Sequence, residues 1–173
     1  MLPGSEGGHN ISLSILSQGR GKMENAASQQ YARGLVDTDN GLISRDIFVV
    51  DDIYRDELER IFPRSWLFVA HESQIPENGD YILGRMAEES VIVNRDRDGK
   101  LHVFLNNCRH RGMRVCRYDK GNTRKFMCPF HAWVFSDQGD LIGVPKLETG
   151  YHNELDKSEW GLIEARVYSY RGF

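Results

Sequence analysis

Two short clusters place a cysteine beside a histidine: Cys108-Arg109-His110 and Cys128-Pro129-Phe130-His131. The pattern is C-x-H, seventeen residues, then C-x-x-H. Two thiolates and two imidazoles suit either a zinc ion or a mixed-ligand iron–sulfur cluster. A zinc knuckle usually groups its cysteines first and its histidines later. Here the order alternates Cys, His, Cys, His, and one Cys–His gap is a single residue, tight for a knuckle. A two-iron cluster accounts for the alternation, with one iron taking both cysteines and the other both histidines, so that each cluster of residues spans the metals. A zinc-stabilised interaction module remains the alternative on these residues alone.

Such residues need loop tips held by short strands, and the surrounding pattern supplies them. Tyr81–Met86, Ser90–Asn94 and Leu101–Leu105 read as strands, with Asp96-Arg97-Asp98-Gly99 a hairpin turn between the last two. Phe126–Met127, Trp133–Phe135 and Leu141–Val144 follow, the last two flanking the turn Ser136-Asp137-Gln138-Gly139. A final strand is expected over Leu162–Tyr170, and a buried one over Ser65–Ala70. Upstream, Tyr54, Leu58, Ile61 and Phe62 share one face of a helix from about Asp52 to Phe62, capped by Asp51 or Asp52 and stopped by Pro63. The expected fold is mostly β, an antiparallel β sandwich with two metal-binding loops at its tip, preceded by a short helix over 51–62. Residues 1–40, rich in Gly, Ser, Gln and Asn, read as a mobile arm before a domain over 41–173. Its apolar patch Ile11–Leu16 has no evident docking site, and Met23 offers a second possible start.

Composition narrows the classes. A net charge of −3 argues against a general nucleic-acid binder. No apolar run is long enough to span a membrane, and no secretory signal is expected at the N-terminus. Three cysteines is an odd number, which fits a reducing, cytoplasmic setting with metal-bound or free thiols better than a disulfide scaffold.

C-R-H-R-G followed by C-P-F-H-A-W resembles the Rieske [2Fe–2S] motif of aromatic ring-hydroxylating oxygenase large (alpha) subunits. The resemblance runs from about Gly41 to the end. It includes Ser65-Trp66-Leu67, Gly79-Asp80-Tyr81, Phe104-Leu105-Asn106 and Gly139-Asp140-Leu141. It implies that Cys108 and Cys128 bind one iron, and His110 and His131 the other. It also implies an electron relay. Electrons would come from NADH through a ferredoxin or reductase and pass to a mononuclear Fe(II) in a catalytic domain or subunit of a trimeric assembly, where dioxygen dihydroxylates an aromatic ring. No second His pair with a nearby acid follows His131, so no oxygen-activating site is expected in this sequence and the chain alone is expected to catalyse nothing. The second reading is a free-standing Rieske ferredoxin, against which the helical lead-in and long arm count.

The motif departs from that of respiratory Rieske proteins, whose extra cysteines match Met113 and Phe130 here, so their disulfide cannot form. Ala132 stands where those proteins carry a hydroxyl, and with fewer hydrogen bonds to sulfur the potential is expected near the lower end of roughly −150 to +300 mV. Arg109, Arg111, Arg114, Arg117, Lys120, Arg124 and Lys125 face one acid, Asp119, in the intervening segment, and could steer an acidic partner or simply be solvated. Gly112 is expected to allow a tight turn that brings N–H groups toward sulfur, and Pro129 to stiffen the second arm. Trp133 reads as a cluster shield or a core aromatic, Trp66 and Trp160 as packing, Cys116 as a buried small side chain, and His102 as a surface residue of an alternating strand. His71 and His152 stand alone.

Overall fold

The computed structural model describes residues 34–173. The expectations for the Gly/Ser-rich stretch before residue 34, including Ile11–Leu16, lie outside the described residues. The chain divides into two units, one ending at Ser65 and one running from Trp66 to Phe173.

In the first unit, β1 (Val36–Asp37) and β2 (Leu42–Ile43) pair antiparallel, Val36 opposite Ile43. Asp37 builds the connecting turn: its Oδ1 accepts from the N–H groups of Asp39 and Asn40, each at 3.1 Å. This hairpin crosses the arm boundary expected at residue 40. Helix α1 covers Asp51–Arg60. Its N-cap is Val50, with no side-chain cap, so neither Asp51 nor Asp52 caps as expected. Both lie in the first turn, where their charge favours the helix dipole. The α-helix ends at Arg60, before the expected Phe62, and Pro63 sits in a 3₁₀ turn over Phe62–Arg64. Tyr54 and Phe62 meet edge to face at 6.5 Å.

The second unit holds two antiparallel sheets. One has the order β5-β4-β3-β6, from β3 (Asp80–Met86), β4 (Glu89–Arg95), β5 (Leu101–Leu105) and β6 (Lys120–Asn122). The other is β7-β8-β9, from β7 (Lys125–Met127), β8 (Val134–Ser136) and β9 (Leu141–Gly143). The short β6 was not expected, being polar throughout. Gly121 lets it approach β3, since a Cβ there would meet the Tyr81 ring at 2.9 Å. A short helix, α2, follows at Leu147–Tyr151.

Alternation along β4 divides the core. Ile92 joins Phe104, Phe126, Trp133, Phe135 and Leu141 in a cluster drawn from both sheets, while Val91 and Val93 join Ile75 and Val103 on the opposite face. Each such large side chain contributes about 1.5–3 kcal/mol by leaving water.

Three expectations fail in this unit. Ser65–Ala70 forms no strand: Trp66 and Phe68 are 73% and 67% exposed, and only Val69 and Ala70 pack on the second cluster. Trp66 and Phe68 instead lie against Tyr168 and Phe173, with ring centroids 6.1 and 5.9 Å apart. Leu162–Tyr170 forms one bridge, Phe104 to Glu164, and is otherwise irregular. Its N–H and C=O groups meet β5 only through Ala165 to Val103 and Leu105 to Ile163. Finally, His102 is not at the surface. It is 3% exposed, with Nδ1 2.6 Å from Glu164 and Nε2 3.1 Å from Asp96. Alternation misplaces it because its sheet is covered on both faces.

Candidate metal centre

Two loops carry the four residues singled out by the sequence, and they close in the same way. In the first, the Cys108 N–H donates to Met113 O at 2.8 Å and the Gly112 N–H to Cys108 O at 2.8 Å. In the second, the Cys128 N–H donates to Trp133 O at 2.8 Å and the Ala132 N–H to Cys128 O at 3.0 Å. Each loop therefore has a cysteine at its first position and a left-handed residue at its fifth, Gly112 (φ 70°) or Ala132 (φ 56°). The imidazole sits third in one loop and fourth in the other, which is why the two spacings differ.

The loops face each other with like against like. His110 Nδ1 and His131 Nδ1 are 3.1 Å apart, with the rings at 71°. The Cys108 and Cys128 thiols are close neighbours. Both cysteines are buried, and both histidines are half-buried. The thiols thus form the inner pair and the imidazoles the outer one. Burial, with the Cys128 thiol beside it, pushes the Cys108 thiol up to about 11, against the pull of N–H groups from His110 and Arg111 that donate to its sulfur. Burial lowers the His110 pKa, and the charges of His131 and Arg111 lower it further, which favours the neutral ring that metal ligation needs.

Two separate pairs, sulfur inside and nitrogen outside, fit a binuclear cluster with mixed ligands.

Aromatic rings brace the imidazoles. Trp133 is buried in the core and stacks on His110 at 4.9 Å and 10°, so it packs and shields at once. Trp160 meets Trp133 edge-on at 5.8 Å and carries the Arg109 guanidinium 5.9 Å above its ring. Phe130 lies 3.8 Å from the His131 ring.

The remaining candidates lie elsewhere. His71 caps the 3₁₀ turn Glu72–Gln74, His152 is exposed, and His102 belongs to the buried Asp96–Glu164 network. Cys116 is a buried free thiol that burial pushes up to about 12. Of the basic run, Arg109 is half-buried, with a guanidinium N–H donating to Gly161 O at 3.2 Å, while Arg111, Arg114, Arg117, Lys120, Arg124 and Lys125 are exposed. Sequence reasoning gave no role to Asn106, although it stood within the quoted Phe104-Leu105-Asn106; an amide two residues before Cys108 was the available signal.

The model of the Rieske [2Fe-2S] domain matches residues 65–166. The chain is 44% identical over 146 residues to the biphenyl dioxygenase subunit alpha of Metapseudomonas furukawaii, covering 81% of this chain and 32% of the relative. It is 43% identical over 136 residues to the N,N-dimethyl phenylurea N-demethylase subunit alpha of Sphingobium sp. (strain YBL2), covering 78% of this chain and 30% of the relative. The structure of naphthalene 1,2-dioxygenase from Rhodococcus sp. superposes with a TM-score of 0.78 at 43% identity, covering 86% of this chain and 34% of that one. The chain spans about a third of the length of these relatives. Among the described residues, no helix is long and apolar enough to cross a membrane. The paired thiols and imidazoles on two matched loops, and the family match over most of the chain, lead to one assignment: this chain belongs to the Rieske [2Fe-2S] domain family.

Proposed function

We propose that Cys108 and Cys128 hold the inner iron of a [2Fe–2S] cluster and His110 and His131 the outer one, and that the chain relays single electrons within an aromatic ring-hydroxylating oxygenase. The donor is a ferredoxin or reductase. The acceptor is a mononuclear iron in a catalytic domain or subunit, in a trimeric assembly of the reducing cytoplasm. The observation that carries the reading is the nesting of a buried thiol pair inside an imidazole pair whose Nδ1 atoms lie 3.1 Å apart. When bound, the cluster supplies one-electron chemistry at a potential set by its ligands and their hydrogen bonds.

The protein supplies the rest. N–H groups of His110 and Arg111 aimed at Cys108 Sγ stabilise negative charge on sulfur. Trp133 fixes the His110 ring plane and keeps water from its inner face. The half-buried imidazoles leave an outer edge for a partner to approach, and the exposed basic run beside them steers an acidic donor. The alpha-subunit relatives favour this reading over a free-standing ferredoxin. One of them is named an N-demethylase, so the substrate and the reaction at the catalytic iron are set outside this chain's two loops.

Purification without oxygen, followed by iron, sulfide and zinc analysis, tests the assignment. Two irons and two sulfides per chain, a red-brown colour and a Rieske-type electron paramagnetic resonance (EPR) signal on reduction are expected. Colourless protein with one zinc overturns it. Hydroxylated product from the purified chain alone overturns the relay role.

A further inference from the structure

The two loops close alike but rest on different footings. Beneath Cys128 and Trp133 the chain continues as a β ladder, Met127 opposite Val134 and Phe126 opposite Phe135. Beneath Cys108 and Met113 no ladder follows among the described residues, because β5 pairs with β4 and the next strand, β6, pairs with β3.

One side chain occupies the place of the missing rung. Asn106 is fully buried. Its Oδ1 accepts from the N–H groups of Val115 at 3.0 Å and Cys116 at 2.8 Å. Its Nδ2 donates to Cys116 O at 2.8 Å and to Ser90 Oγ at 3.3 Å. That is the full capacity of a primary amide. Toward Cys116 it presents one donor and one acceptor side by side, as the peptide of a neighbouring strand would. The Asn106 N–H donates in turn to Ser90 O in β4 at 2.9 Å. The foot of the first loop is thereby tied to the sheet through one residue, Asn106.

We infer that Asn106 is a positioning residue: its side-chain amide replaces a β rung and holds Cys108 and His110 in register with Cys128 and His131. The inference rests on the cluster reading above. Asn suits the position because it supplies both hydrogen-bond roles on a short stem. Asp keeps the shape but loses the donors, and Ala loses everything.

The test uses the full chain with its cluster. N106D, N106A and the control S90A are compared by the rate of iron loss to a chelator, by the EPR g values of the reduced protein, and by thermal melting of the cluster-free form. N106D and N106A should lose iron at least about tenfold faster and shift the g values, as loss of an outer partner does at metal sites. S90A, which keeps the pairing with Cys116, should stay within about twofold of wild type. Wild-type g values and iron-loss rates in N106D and N106A overturn the inference, even if melting falls. Hydrogen exchange on the unmutated chain needs no variant to fold: the Val115 and Cys116 amides should exchange as slowly as those of the β7–β8 ladder. Exchange at the rate of an exposed loop overturns the rung. A wild-type chain without a Rieske EPR signal would instead sink the cluster reading, and the exchange data would still decide the rung.

Discussion

His110 and His131 meet nitrogen to nitrogen, Nδ1 to Nδ1, at 3.1 Å. Two imidazoles so placed share either one proton or one metal ion. They project from third and fourth positions of loops with matching backbones.

Replacing either histidine with Ala is expected to reduce iron and sulfide from two each per chain to near none, because under the proposed assignment one iron would lose half its protein ligands, and metal binding is coupled to loop folding. Iron and sulfide analysis with the visible spectrum measures this. Full cluster content in either variant contradicts the ligand assignment.

Gly112 and Ala132 occupy equivalent left-handed positions, but only Gly112 adopts that conformation without steric cost. A Cβ at Gly112 meets nothing within 4 Å, so the cost of G112A is backbone strain alone. Urea unfolding of cluster-free protein should show G112A destabilised by about 1 kcal/mol and A132G stabilised by up to about 1 kcal/mol. Effects of the same sign would refute the equivalence of the loops.

Asp96 controls part of the acid stability. Burial pushes its carboxyl up, but hydrogen bonds from Gln138, the Lys100 N–H, His102 and the Asp98 N–H outweigh burial and hold it at about 2. The folded value lies below the unfolded value near 3.8. Asp96 therefore contributes about 2 kcal/mol that is fully present above pH 4 and is lost as pH falls toward 2. D96N should flatten that stretch of the stability curve. H102A, which strips Asp96 and Glu164 of a shared partner, should cost about 1–3 kcal/mol at pH 7. Chemical denaturation across pH checks both.

The exposed Lys120, Arg124 and Lys125 lie in a run whose only acid is Asp119. Raising ionic strength from about 0.01 to 0.15 M shortens the screening length from about 30 to 8 Å. Reduction of the chain by an acidic ferredoxin should then slow by about tenfold, and charge reversal at Arg124 and Lys125 should mimic that at low salt. Stopped-flow reduction rates insensitive to salt would assign this run to solvation alone.

The ligand types, their spacing and the strands bearing them follow from local chemistry. Cys and His are the residues that bind soft and borderline metals, and Tyr81–Met86 and Leu101–Leu105 are short apolar-rich runs set between turns. Local pattern also located Gly112 and the Asp96–Gly99 turn, because a left-handed backbone selects its residues at single positions. It failed where the deciding partner is remote. His102 alternates as a surface residue would, yet Glu164, sixty-two positions away, draws it inside. Ser65–Ala70 is as apolar as a strand, but it finds no ladder, and its Trp66 and Phe68 stay mostly exposed.

By itself, then, the sequence determined which atoms are available to hold metal and which segments extend or turn, since both depend on a residue and its neighbours within a few positions. Tertiary structure alone decided that thiols pair inside and imidazoles outside, that Trp133 lies flat on His110, and that Asn106 substitutes for a strand. Each of these joins groups that do not adjoin along the chain, and their contact exists only once the loops have closed on the folded sheets.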